Sequence, residues 1–290
     1  MEYQFAAIPE VLQGYVEAIT DGQHDGQTNL TTSVYMNGLP GIVFQHQAGR
    51  SPVEQMTTAS GFHVEMPTLF VYGQMTERST VRYQPEPFTA TTIFFKPHAL
   101  QSLLGINAAA LTDHLVELRE FSAGDLNMQL LEARNEGARL SLLTGFLASK
   151  LRRATPCDRL IEESLRIIHN HVGRVTVKYL LECLNISERQ FEKRFSQTVG
   201  LSPQFYMRVK RFNEAVRLMQ TGRCQRLTEI AHLLNFHDQS HFIRDIKAFS
   251  GVTPKGLFRC YAKKFAADVG EFQPDHEDDA LYERDGFLQF

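Results

Sequence analysis

Two sets of polar side chains stand about 50 residues apart along the chain. Arg189, Gln190, Glu192 and Lys193 form the first, and Gln239, Ser240, His241 and Arg244 the second. These residue types suit hydrogen bonding to base edges. Arg can grip guanine with two bonds, Gln can do the same to adenine, and a carboxylate accepts from cytosine N4. All eight are therefore candidates for base contacts. Ser187, Arg208, Lys210, Arg211 and Lys255 lie around them, and suit phosphates, which take most hydrogen bonds from DNA-binding proteins. Catalytic spacing is not found. Cys157, Cys183, Cys224 and Cys260 stand far apart, unlike a zinc site or a tight disulfide framework. His24, His46, His63 and His98 are scattered with no H-x-H pair, and no nucleophile stands in an evident arrangement with a base. The sequence thus predicts a binding protein, not an enzyme, with no catalytic residue, metal or cofactor.

The elements that must position these sets repeat. Leu180-Leu181-Glu182-Cys183-Leu184-Asn185-Ile186 matches Ile230-Ala231-His232-Leu233-Leu234-Asn235-Phe236 at an offset of 50 residues. Arg189 to Phe195 matches Ser240 to Ile246 at 51, and Gly200-Leu201-Ser202-Pro203 matches Gly251-Val252-Thr253-Pro254 at 51. Each unit reads as helix, tight turn, helix. Asn185 and Asn235 tolerate the left-handed backbone of the turn. Ser187 and Asp238 suit the N-cap of the second helix. Phe191 and Phe195, or Phe242 and Ile246, are apolar at helical spacing and define its buried face. Pro203 to Gln220 reads as one connecting helix, with Phe205, Val209, Phe212, Val216 and Met219 as its stripe. Its 18 residues span about 27 Å at 1.5 Å each, against a groove repeat of about 34 Å.

Phe195 to Pro203, Leu227-Thr228-Glu229-Ile230-Ala231, Asp238-Gln239-Ser240-His241-Phe242 and Gly251 to Pro254 resemble the DNA-binding domain of the AraC/XylS family of bacterial transcription regulators. The resemblance covers residues ~160–262 and implies a seven-helix module reading an asymmetric site through two major grooves. The chain departs from the family pattern at Leu181, where a small residue is usual, and at Asn235, where glycine is usual.

Charge divides the chain in the same place. The net charge is −3. Residues 160–265 hold 18 Lys and Arg against 9 Asp and Glu, a balance of +9, and the rest of the chain carries −12. A basic segment inside an acidic chain fits a polyanion-binding domain joined to something else. Residues 1–100 carry short β-branched runs at 31–36, 41–45, 62–64, 69–72, 80–83 and 89–95, separated by turn residues, which predicts a sandwich or small barrel. Residues 98–104 and 108–120 read as helical, as does 126–151.

The β-rich part resembles the cupin-like sensor regions that accompany such DNA-binding modules. The fold expected is α+β and multidomain: a cupin-like sensor barrel with flanking helices at 1–122, a helical linker or dimerisation segment at 123–157, an all-α double helix-turn-helix domain at 158–265, and an acidic tail at 266–290. The function expected is a cytoplasmic, sequence-specific transcription regulator with promoter DNA as its partner. RNA polymerase, a second copy of the chain, and a small-molecule or protein effector at the N-terminal domain are the further partners considered. A cupin-type enzyme with an appended DNA-binding module is the rival. An alkyl-transfer repair protein would need a cysteine metal cluster that the spacing does not offer. No apolar run approaches the ~18 residues of a membrane span, and Met1 to Glu10 lacks the basic start of a secretory signal.

Overall fold

The structure is a computed structural model and describes residues 2–259 apart from 122, 155, 222 and 225. Ten strands and nine α-helices are named within that range. Strands β1 (Glu2–Phe5), β2 (Val16–His24), β4 (Gly41–His46), β7 (Leu69–Tyr72), β9 (Phe88–Phe95) and β10 (Leu115–Glu117) form an antiparallel sheet in the order β1-β2-β9-β4-β7-β10. Strands β3 (Thr31–Val34), β5 (Val53–Thr58), β6 (His63–Val64) and β8 (Ser79–Tyr83) form a second in the order β3-β8-β5-β6. The strand spacing predicted a sandwich or small barrel; the strands form two separate sheets, and no closed barrel is found among the described residues.

The period-two alternation of a strand explains how the larger sheet serves two purposes. Ile42, Phe44, Leu69, Val71, Ile93 and Phe95 form one apolar cluster with residues of helices α1 (Ala99–Leu104), α2 (Leu126–Glu132) and α3 (Glu136–Leu151). Their neighbours Val43, Phe70, Tyr72, Thr92 and Phe94 line a cavity instead. Register keeps the two sets apart: Ile42 pairs with Val71 and Ile93, and Val43 with Phe70 and Thr92.

Two helical expectations are corrected. Residues 108–120 are not one helix. A short 3-10 turn at Ala108–Leu111 is followed by β10 and by another 3-10 turn at Leu118–Phe121. Asp113 has a left-handed backbone at φ 59°, and Leu115, Val116 and Glu117 then pair with Tyr72, Val71 and Phe70. Pairing with a free sheet edge overrides the local pattern. Residues 126–151 are two helices, because Asn135 caps α3 by accepting from the Ala138 amide at 2.9 Å. Leu126, Leu130, Leu143 and Leu147 are buried in the N-terminal core, so this segment packs within the chain.

Helices α4 (Arg159–Asn170), α5 (Val177–Leu184), α6 (Glu188–Val199), α7 (Pro203–Gln220), α8 (Leu227–Leu233) and α9 (Gln239–Ser250) follow, and the chain is helical again at 254–259. The acidic tail 266–290, with Cys260, lies outside the described residues. Among the described residues no helix is long and apolar enough to cross a membrane.

Candidate nucleic-acid interface

Each helix-turn-helix unit is built around its own apolar cluster. In the first, Leu180, Phe191, Phe195 and Val199 are buried with Ile161, Leu165 and Tyr206, and Leu181 packs partly buried against them. In the second, Ile230, Leu234, Phe242, Ile246 and Phe249 are buried with Val209, Phe212 and Ala215. Helix α7 contributes to both, so it ties the units into one body. The turns form as read, with Asn185 at φ 47° and Asn235 at φ 52°.

The two N-caps differ. Asp238 accepts from the His241 amide at 2.7 Å, and this bond, with help from His237, holds its carboxyl below the usual range. Ser187 occupies the N-cap position of α6 but its hydroxyl makes no cap bond, which leaves the exposed side chain facing outward.

Burying one face of each recognition helix exposes the other. Arg189, Gln190, Glu192 and Lys193 are all exposed on α6. Gln239, Ser240 and Arg244 are exposed on α9, and Lys255 lies beyond it, also exposed. His241 is half-buried, with its ring against Phe236 and its Nε2 3.5 Å from Asp245. The fold therefore presents seven of the eight base-contact candidates freely and engages the eighth in the protein.

The basic residues of α7 are placed otherwise than expected. Arg208 donates to the buried Asp245 at 2.8 Å and lies over the rings of Phe205 and Phe249. It locks α7 to α9. Arg211 lies over the Phe236 ring at 5.1 Å. Lys210 faces the N-terminal domain, where it lines the cavity with Glu17. Burial lowers its pKa against the pull of Glu17 and Glu214. The sequence located these side chains on one helix, but which of its faces the N-terminal domain would cover was not visible in the helical stripe.

A second arginine pair positions α6. Arg194 donates to Asp158 at 2.7 and 2.5 Å, and Asp158 also caps α4 through the Leu160 and Ile161 amides. Burial works to raise the Asp158 pKa, but Arg194 and those amides outweigh it and hold the carboxyl down. The helix ends nearest the N-terminal domain are docked. Thr112 donates to the Gly200 carbonyl at 2.6 Å, and Thr198 donates to Gln101 at 2.8 Å. The Arg78 guanidinium lies against Gly251, where a side chain would collide with it. Both Gly-x-Ser/Thr-Pro corners thus touch the N-terminal domain.

Between the two sheets and α7 lies a cavity of about 910 Å³. Its walls are mainly apolar and aromatic, with Met56, Phe70, Val81 and Phe94 from the sheets and Phe212 and Val216 from α7.

Comparison with known proteins agrees with this geometry. A family model described as "Helix-turn-helix domain" matches residues 180–259, and one described as "Domain of unknown function (DUF6597)" matches residues 8–117. The HTH-type transcriptional activator Btr of Bacillus subtilis is 26% identical over 170 residues, which cover 58% of this chain and 32% of Btr. The chain therefore spans about a third of that relative's length. The uncharacterized HTH-type transcriptional regulator YobQ of the same organism is 26% identical over 205 residues, covering 63% of this chain and 80% of YobQ. Among solved structures, ToxT of Vibrio cholerae aligns with a TM-score of 0.45 at 14% identity, covering 83% of this chain and 97% of ToxT. The family match defines the class of the C-terminal part: a helix-turn-helix domain. In particular, residues 180–259 match an AraC-type helix-turn-helix domain, and both relatives bear the names of HTH-type transcriptional regulators.

Proposed function

We propose that this regulator reads two successive major grooves on one face of duplex DNA, with α6 in one and α9 in the next. The observation that carries the reading is the paired exposure. Arg189, Gln190, Glu192 and Lys193 on α6, and Gln239, Ser240 and Arg244 on α9, project from two units tied together by a single 18-residue helix. A rod of about 27 Å, with the widths of the flanking turns, suits the groove repeat of about 34 Å. Ser187 and Lys255 then fall at phosphates. Binding is driven by counterion release and specified by base contacts.

Control enters through the cavity. Its walls come from both domains, so a small, mainly apolar molecule held there touches the connecting helix of the DNA-binding part. A ligand favouring one arrangement of α7 against the sheets shifts DNA affinity, self-association or contact with RNA polymerase. In this reading the protein works in the cytoplasm by binding alone, without catalysis.

Selection of sites from a random duplex pool, followed by footprinting, tests the first part. Protection of two major-groove segments about one helical turn apart is expected, with affinity falling steeply with salt. Protection of a single groove would overturn it. For the cavity, a compound that raises the melting temperature should also change DNA affinity, and Val81→Trp, which fills the cavity, should abolish both effects.

A further inference from the structure

His98, Cys157 and Glu162 meet at the seam between the two domains. His98 directly precedes α1, Cys157 directly precedes the N-cap of α4, and Glu162 lies in the first turn of α4. Their ligand atoms all lie within 4.8 Å of one another. Cys157 and Glu162 stand five residues apart at the start of α4, and the docking of the domains brings the distant His98 to them.

The His98 ring carries the strongest sign of a missing partner. The residue is 7% exposed, and its Nε2 is buried with no hydrogen-bond partner. The Gly14 backbone carbonyl accepts a hydrogen bond from the ring. With Nε2 unpartnered, that bond belongs to Nδ1, so in the neutral ring Nε2 holds a bare lone pair. The nearest Glu162 oxygen lies 3.6 Å away. Two acceptors facing each other across that gap repel unless something positive sits between them. The gap is too wide for a hydrogen bond. It is close to the roughly 3.4 Å that separates two donors bound at about 2.1 Å to one tetrahedral zinc ion. A ligating histidine whose other nitrogen donates to a backbone carbonyl is also the usual arrangement at such centres.

The third donor sets the metal. Cys157 Sγ lies 3.0 Å from Ser102 Oγ, with the Tyr15 hydroxyl also beside it. A nitrogen, a sulfur and a carboxylate oxygen together suit zinc better than magnesium or calcium, which favour oxygen alone.

We propose that His98, Cys157 and Glu162 form a zinc site that fastens the N-terminal domain to the first helix of the DNA-binding part. The thiol releases its proton to solvent as the ion binds, and a fourth position stays open to water. The metal locks the seam on the α4 side, independently of what occupies the cavity.

The full chain, stripped with a chelator and titrated with Co²⁺, provides the test. One Co²⁺ per chain is expected, with a thiolate-to-cobalt charge-transfer band and the strong visible absorption of a tetrahedral centre. Zn²⁺ should displace it and raise the melting temperature. Cys157→Ser should abolish the charge-transfer band, and His98→Gln should weaken binding about a hundredfold or more. Cys157 is only half-buried, so the serine variant is expected to keep its circular dichroism and carries the test if the His98 variant does not fold. Absence of the band in the parent protein, or its persistence in Cys157→Ser, would overturn the proposal.

Discussion

Arg244 and Lys210 are both basic residues of the DNA-binding part, yet the structure gives them different surroundings. Arg244 is exposed on α9, and among the described residues it has no ion-pair partner. In the groove it can hold guanine with two bonds, worth ~1–3 kcal/mol of discrimination. Arg244→Ala should therefore weaken binding to the selected site by roughly ten- to a hundredfold, while binding to random duplex changes little. Equal losses in a competition titration would make it a phosphate contact. Lys210 faces the cavity, so Lys210→Met should leave both the affinity and its salt slope unchanged. A phosphate ligand would lower that slope by about one, and anisotropy titrations at several salt concentrations distinguish the two. His169 adds a pH dependence. Burial, with Lys210 and Lys96 nearby, pushes its pKa down to about 4, and its Nε2 meets the Tyr206 hydroxyl at 2.8 Å. The unfolded chain takes up this proton near the ordinary histidine value of about 6.5, before the folded chain does. Stability contributed by the neutral ring is thus complete above that pH and is lost as pH falls toward 4. The melting temperature should drop over this interval, and His169→Gln should flatten the drop.

At the scale of elements, the two recognition helices start differently although their sequences repeat. Asp238 bonds to the α9 backbone and Ser187 leaves the α6 backbone without a side-chain cap. Asp238→Ala should cost about 1 kcal/mol, within the range for lost N-caps, and Ser187→Ala should cost less than about 0.5 kcal/mol. Denaturant titration measures both, and equal costs would mean that the Ser187 hydroxyl does cap its helix. Helix α6 is anchored at its middle by Arg194 to Asp158, and α9 by Asp245 to Arg208. The sequence showed all four residues without showing that they pair. Each pair joins side chains 36 or 37 positions apart, beyond the reach of any helical period.

At the scale of the whole molecule, the N-terminal domain does more than sit beside the DNA-binding part. Met36 is buried in the cluster of the second unit, and Gly200 and Gly251 both meet side chains of the N-terminal domain. A fragment covering 158–265 should bind DNA in a salt-sensitive way without ligand. It should also melt lower than the same segment within the full chain, because Met36 and the Thr112 and Arg78 contacts are gone. A folded fragment that fails to bind DNA would place part of the interface on the N-terminal domain.

What the sequence determined by itself was the local, repeated part. Apolar spacing, an asparagine in each turn and Gly-x-Ser/Thr-Pro stops fix helices α5 to α9 because each signal acts within a few residues of itself. The same holds for the strands at 31–34, 41–46, 69–72 and 88–95, whose bounds differ from the sequence reading by no more than two residues. Tertiary structure alone decided the rest. The pairing of Leu115 to Glu117 with a sheet edge, the opening of the strands into two sheets, the turning of Lys210 toward the cavity, and the meeting of His98 with Cys157 and Glu162 depend on surfaces far apart in the chain. Period and propensity describe how a segment faces its surroundings, whereas the identity of those surroundings is set only when the domains pack.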